Sequence, residues 1–216
     1  TPQELEQHLS PQTRVFLLNS PANPTGTTYT PEEIRALAQV LEKFPQLLVV
    51  TDDIYEKLVY GTTFLNLATA SEALRPRTVV VNGFSKAYAM TGWRLGYAAG
   101  PRAIITAMDT IQGQSTSNAT SFAQKGAVAA LMGDQTCVET MRQVFEKRRD
   151  LAFSMLSGIR GLRLFKPQGA FYLFPDIAEL CQAPGFQKLA QQTPAADAGK
   201  IFTAALLDQK LVAVVP

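Results

Sequence analysis

The feature that most constrains this chain is a set of short apolar runs at residues 15–18, 47–50 and 78–81, rich in leucine and β-branched side chains and without polar alternation. A strand that is apolar at every position is covered on both faces, the situation of a sheet sandwiched between helices. Between the first two runs lies Thr30-Pro31-Glu32-Glu33, which has a hydroxyl cap, proline at the first helical position and glutamate at the third. Ile34, Leu37, Ala38 and Leu41 then recur at i, i+3, i+4 and i+7, so the spacing predicts an amphipathic helix that stops near Phe44-Pro45. Strand, helix and strand in that order imply a right-handed crossover and parallel pairing. The predicted class is α/β, with a mostly parallel sheet and helices on both faces. A weaker run at 95–99 follows the third too closely for its direction to be fixed. Thr1-Pro2-Gln3-Glu4 repeats the cap pattern and predicts an opening helix.

Residues 101–132 read as helical, broken by a polar stretch at 112–121. A long helix follows over 134–159, with Val138, Met141, Phe145, Ala152, Met155 and Leu156 as its apolar face. Short strands are expected at 162–165 and 170–174, then a loop rich in Pro, Gln and Ala, a helix over 198–207 and a last strand at 211–215. These changes of character divide the chain into 1–133, part of a large domain, 134–160, a long interdomain helix, and 161–216, the start of a small α/β domain. Both ends read as cut, because Thr1 is no initiator and the last apolar run wants strand partners.

Composition narrows the function. Twenty basic and eighteen acidic side chains in 216 residues give a net charge of +2 with no long run of one sign, so neither a nucleic-acid nor a membrane surface is expected. Cys137 and Cys181 are too few and too far apart for a disulfide framework. His8 is the one histidine, which argues against Ser-His-Asp catalysis and histidine-based zinc, and no metal site is expected. No leader or membrane-length apolar run is present, so the cytoplasm is the expected compartment.

Ligands of open α/β sheets bind beyond the carboxyl ends of the strands. Polar residues gather there in this sequence: Asn19 to Gly26 after the first run, Asp52-Asp53-Ile54-Tyr55 after the second, Gly83-Phe84-Ser85-Lys86 after the third, and Arg94 soon afterwards. Singly each has a bland reading as a turn, a helix cap, a rim aromatic or a surface lysine. Together they bring an amide, a carboxylate, a phenol, an amine and a guanidinium to one sheet edge. Each suits one part of a pyridine aldehyde phosphate. Lys86, in apolar company, is the candidate amine for condensation with the aldehyde. Asp52 would keep a ring nitrogen protonated, Tyr55 and Asn23 would donate to a ring oxyanion, and Arg94 with Ser85 would take the phosphate.

The fourteen residues from Gly83 to Gly96, Gly-Phe-Ser-Lys-Ala-Tyr-Ala-Met-Thr-Gly-Trp-Arg-Leu-Gly, closely resemble the cofactor-lysine signature of the class I and II aminotransferases, enzymes of pyridoxal 5'-phosphate (PLP) fold type I. Asn23-Pro24-Thr25-Gly26 and Asp52-x-x-Tyr55 lie upstream at that family's spacing, and Gly169-Ala170-Phe171-Tyr172 resembles its small-domain strand. The resemblance implies that Lys86 holds PLP as a Schiff base and moves the proton in a 1,3-shift, that Asp52 pairs with the pyridine nitrogen, and that Tyr55 and Asn23 bind the ring oxygen. It further implies that Arg94 binds the phosphate, that Ile54 packs on one ring face, and that Asn23 also faces the substrate. The wording around Tyr55 and Met90 is most similar to bacterial aspartate aminotransferases and their prephenate-transaminating branch. The resemblance therefore implies an amino-acid and a 2-oxo-acid substrate, aspartate and 2-oxoglutarate, and a homodimer. The polar loop 114–118 resembles one that in relatives approaches the neighbouring subunit's phosphate.

Family members carry further amino-terminal phosphate donors and a carboxyl-terminal arginine for the substrate carboxylate. The 216 residues alone are therefore expected to bind PLP weakly and to transaminate poorly or not at all. The sequence also leaves open two rivals: another fold type I reaction, such as carbon–sulfur lyase or cyclopropane-carboxylate synthase chemistry, and a non-catalytic piece.

Overall fold

A computed structural model describes residues 1–192 and 197–216. Helix α1 (Pro2–His8), strand β1 (Val15–Asn19), helix α2 (Pro31–Glu42), strand β2 (Leu48–Asp52), a one-turn helix α3 (Leu67–Ala70), and strands β3 (Thr78–Gly83) and β4 (Gly96–Ala99) come first. Helices α4 (Arg102–Ser115), α5 (Ser121–Met132), α6 (Thr136–Ser157), α7 (Pro184–Gln192) and α8 (Ala198–Lys210) follow. Both expected helix starts are present as full capping boxes: the hydroxyls of Thr1 and Thr30 accept from the N–H groups of Glu4 and Glu33, and each glutamate answers the cap backbone.

The strands form one sheet in the order β1-β2-β3-β4, parallel across the first two pairs and antiparallel between β3 and β4. In register, Asn19 lies opposite Asp52 and Asp52 opposite Val81, so β1, β2 and β3 release their carboxyl ends at one edge. The reversal at β4 has a simple cause. A parallel return needs a crossover long enough to span the sheet, whereas residues 84–95 are spent on a compact turn and bring the chain straight back, Gly83 facing Gly96.

The core sits between α2 and the sheet. Ile34, Ala38 and Leu41 of α2 meet Leu47, Val49, Leu67 and Leu74, with Leu5, Phe16 and Leu18 around them. Period 3.6 on the helix and period 2 on the strands place these residues on facing surfaces. On the other face of β1, Val15 and Leu17 are 53% and 65% exposed. A second cluster joins Phe84 and Met90 to Ala127 of α5. There the Trp93 indole lies so close to Gly126 that a Cβ on that residue would stand 2.6 Å from Cζ3.

The chain forms two compact units, Thr1–Asp150 with Pro167–Leu173, and Leu151–Lys166 with Phe174–Pro216. The carboxyl-terminal part differs from expectation. The strands expected at 162–165 and 170–174 do not form; isolated antiparallel bridges pair Arg163 with Asp176, each N–H donating to the other's carbonyl, and Gly169 with Val59. The last apolar run is not a strand either. Leu211, in the left-handed region at φ 57°, and Val212 turn their N–H groups back to the carbonyls of Leu207 and Leu206, capping α8. Residues 211–216 have no ladder partner among the described residues. Along α6 Val138 is buried, but Met155, expected on the packed face, is exposed. Part of the expected loop rich in Pro, Gln and Ala, residues 193–196, lies outside the described residues. Among the described residues no helix is long and apolar enough to cross a membrane, and no group of His, Cys, Asp or Glu could hold a metal ion.

Candidate active site

The edge where β1, β2 and β3 end carries the polar residues, and each arrives there for a local reason. Asn19 closes β1 and ties two neighbours together: its side-chain amide donates to the carbonyl of Asp52 at 3.4 Å, and its Oδ1 accepts from the N–H of Asn23 at 3.0 Å. The loop after it turns tightly, with Gly26 N–H donating to Ala22 O at 2.8 Å and cis bonds at Ser20–Pro21 and Asn23–Pro24. Gly26 must be glycine, since its φ is +69° and a Cβ would stand 2.5 Å from Cβ of Pro167. Its carbonyl accepts from the N–H groups of Gln168 and Gly169, so the Asn23 loop is fastened to the 167–169 segment.

At the end of β2, Asp52 accepts from Ile54 N–H through Oδ1 at 3.3 Å. Asp53 points the other way and is 4% exposed, its carboxyl against the side-chain amide of Asn66, whose own Oδ1 caps α3 by accepting from Ala68 N–H at 2.6 Å. Burial pushes the Asp53 carboxyl up to about 7, against the opposing effect of the Asn66 hydrogen bond. Tyr55, 2% exposed, has its hydroxyl against that of Tyr172 and its ring edge-on to Phe171 and Tyr172. Burial, then the Tyr172 hydroxyl, then the Asp52 carboxylate hold the Tyr55 phenol well above its ordinary range, so it is a proton donor throughout the neutral region.

Beyond β3 the chain folds into a close turn in which Tyr88 and Met90 both donate to Phe84 O and Ala89 donates to Lys86 O. That turn projects Lys86 toward the aromatic group: its Nζ stands 5.9 Å from the centroid of Tyr55 and 5.4 Å from that of Phe171. The Lys86 amine has no hydrogen bond or ion pair among the described residues, whereas Lys43, Lys57 and Lys200 are each paired with a carboxylate. The same loop holds Arg94 in the left-handed region at φ 54°. Its Nη1 donates to Thr91 O at 3.1 Å, while Thr91 Oγ1 donates to Ser85 O at 3.0 Å. Ile54 Cδ1 would lie 3.2 Å from a Cβ on Gly83.

Thus Asn23 and Asp52 are joined through Asn19, Tyr55 is brought to Lys86, and Ser85 is joined to Arg94 through Thr91. The Asn23 amide and the Arg94 guanidinium do not hydrogen-bond to Asp52, Tyr55 or Lys86. Four further residues at this edge, Asn19, Asp53, Phe171 and Tyr172, lie inside the sequence motifs without a role that the motifs themselves imply. A polar residue ending a strand was the available signal for Asn19. Nothing in the sequence pairs Tyr172 with a phenol 117 positions earlier.

A mixed open sheet with polar side chains at the carboxyl edge of its parallel strands, one of them an amine without a carboxylate partner, defines a partial α/β domain. The aminotransferase class I and II family matches residues 1–216, and the chain belongs to that family. It is 45% identical over 217 residues to an aspartate/prephenate aminotransferase from Nitrosomonas europaea, with 100% of this chain and 54% of that protein covered. It is 46% identical to an aspartate aminotransferase from Geobacillus stearothermophilus, with 100% and 52% covered. Among solved structures, the aspartate aminotransferase of Rhizobium meliloti superposes with a TM-score of 0.88 at 41% identity, covering 100% of this chain and 53% of that one. The chain thus spans about half the length of the relatives it matches.

Proposed function

We propose that this chain is the cofactor-anchoring half of a PLP-dependent aminotransferase in which Lys86 holds the cofactor. The observation that carries the reading is the Lys86 amine, free of hydrogen bonds and ion pairs among the described residues, set beside the Tyr55 ring 5.9 Å away where β2 and β3 end. The residues present fit the group. Asp52 supplies a carboxylate for the pyridine nitrogen, Tyr55 a phenol kept protonated by burial, Asn23 an amide for the same ring oxygen and the substrate, and Ile54 an apolar contact for one ring face. Arg94 has no carboxylate partner among the described residues, and with Ser85 it suits a phosphate.

Bound PLP supplies an electron sink that acidifies the substrate's α-carbon. Lys86 would take and return the proton at that carbon as general base and acid. Tyr55 keeps its own proton and orients it, and the Asn19 bridge fixes the spacing between Asn23 and Asp52. Aspartate and 2-oxoglutarate are the substrates this reading assigns, in keeping with the names of the relatives; the whole protein would be a cytoplasmic homodimer with a large domain at 1–133, an interdomain helix at 134–160 and a small domain from 161.

The test is a titration of the 216-residue chain with PLP, followed by difference absorbance, beside Lys86→Ala and Asp52→Ala. The reading expects a saturable long-wavelength band that Lys86→Ala abolishes and Asp52→Ala weakens at least about tenfold in affinity, the scale of one lost charged contact. A band unchanged in Lys86→Ala would overturn it. Aspartate-dependent transamination by the 216 residues should not exceed that of the Lys86→Ala control.

A further inference from the structure

We infer that Tyr172 is a positioning residue whose hydroxyl donates to Tyr55 Oη and thereby turns the Tyr55 proton outward, toward the ring oxygen of the cofactor. The inference rests on the proposed PLP reading and adds to it a residue with no assigned task.

A phenol is one donor and one acceptor, and its hydrogen rotates to suit. Left alone in a buried niche, the Tyr55 hydroxyl could direct its hydrogen to any nearby acceptor. The hydroxyl of Tyr172 lies in direct hydrogen-bond contact with it, and either oxygen can be the donor of that bond. An oxyanion in front of Tyr55 resolves the choice. Tyr55 then donates to the anion, and Tyr172 becomes the donor to Tyr55, each bond polarising the next. The surroundings hold both rings for this. Tyr55 packs edge-on against Phe171 and Tyr172 at 5.4 and 5.7 Å between centroids. The segment carrying Tyr172 is fastened by the N–H of Ala170 donating to Leu58 O at 2.9 Å and by Tyr60 Oη donating to Ala170 O at 2.5 Å. Ala170 itself is fully buried, at a positive φ of 56°. The segment that delivers the second hydroxyl is thus locked to the strand-end loop that carries the first.

A purely structural Tyr172 would serve as well without its oxygen. The relay predicts that Tyr172→Phe, which keeps the ring and its packing, weakens the Tyr55 bond to the cofactor's oxygen. Donors on that oxygen favour its anionic form, so losing one raises the pH at which the bound chromophore changes band, by about half to one pH unit for one neutral hydrogen bond. The experiment is a pH titration of the absorbance of the PLP-loaded 216-residue chain, in wild type, Tyr172→Phe, Tyr55→Phe and the double variant, with borohydride reduction and peptide mapping alongside. The expected result is an upward midpoint in Tyr172→Phe, a larger one in Tyr55→Phe, and no further change when Tyr172→Phe is added to Tyr55→Phe. Replacing Tyr172 by a fluorinated tyrosine, a stronger donor, should move the midpoint downward. A wild-type adduct on Lys86 together with identical midpoints in wild type and Tyr172→Phe overturns the inference alone, as does an additive double variant. No wild-type adduct on Lys86 overturns the PLP reading and this inference with it.

Discussion

Replacing Asp53 by asparagine should remove a pH dependence that the buried carboxyl imposes on the fold. Asp53 is 4% exposed, and burial raises it from an ordinary 3.8 to about 7. The unfolded chain gives up this proton near 3.8, while the folded chain keeps it until about 7. Between those limits the native state binds more protons than the unfolded state, so this group makes stability fall as pH rises, and the loss is complete above about 7. The displacement from 3.8 to about 7 corresponds to on the order of 4 kcal/mol across that window. In Asp53→Asn the new side chain still accepts from the Asn66 amide through its carbonyl oxygen and carries no charge. Urea unfolding of both proteins from pH 4 to pH 8 is the assay. The difference in unfolding free energy, variant minus wild type, should rise through the window by a few kcal/mol and then level off. Parallel curves would show that the carboxyl is already ionised without cost, and would refute the burial argument.

Leu41, fully buried between α2 and the sheet, should cost about 2–5 kcal/mol when cut to alanine, read as a lower urea midpoint with an unchanged slope. Thr30→Ala should lose about 0.5–2 kcal/mol by removing the hydroxyl of the α2 capping box, a loss that Thr30→Ser restores in the same unfolding assay. Gly126→Ala should displace the chain's single tryptophan, because the new Cβ meets Trp93 at 2.6 Å. A red-shifted emission at unchanged far-UV circular dichroism is the expected sign, and an unmoved spectrum would contradict the contact.

The parts of the fold visible in the sequence were those written by local chemistry. Thr30-Pro31 and the Ile34–Leu41 spacing announced α2, and the unbroken apolar runs announced three strands, because capping and burial act over a few neighbouring residues. The direction of β4 was not visible, since it depends on how residues 84–95 are spent rather than on β4 itself. The failed strands teach the same lesson from the other side. Residues 211–215 have strand composition, yet a ladder needs a partner, and the α8 cap takes the first two N–H groups instead. At the site, Lys86, Asp52, Tyr55 and Asn23 are legible because each follows an apolar run, and Arg94 because it stands eight residues beyond Lys86 in the same motif. Tyr172 and Asn19 act through partners chosen by tertiary packing, which no local spacing records.

In the proposed function one lysine among the chain's nine, Lys86, holds the cofactor. Incubating the 216-residue chain with PLP, reducing with borohydride and mapping the modified peptides by mass spectrometry tests it most directly. A single dominant adduct on Lys86, lost when Asp52 and Tyr55 are both replaced, is the expected result. An adduct spread over exposed lysines such as Lys43, Lys57 and Lys200 in proportion to their accessibility, with Lys86 not favoured, would contradict it.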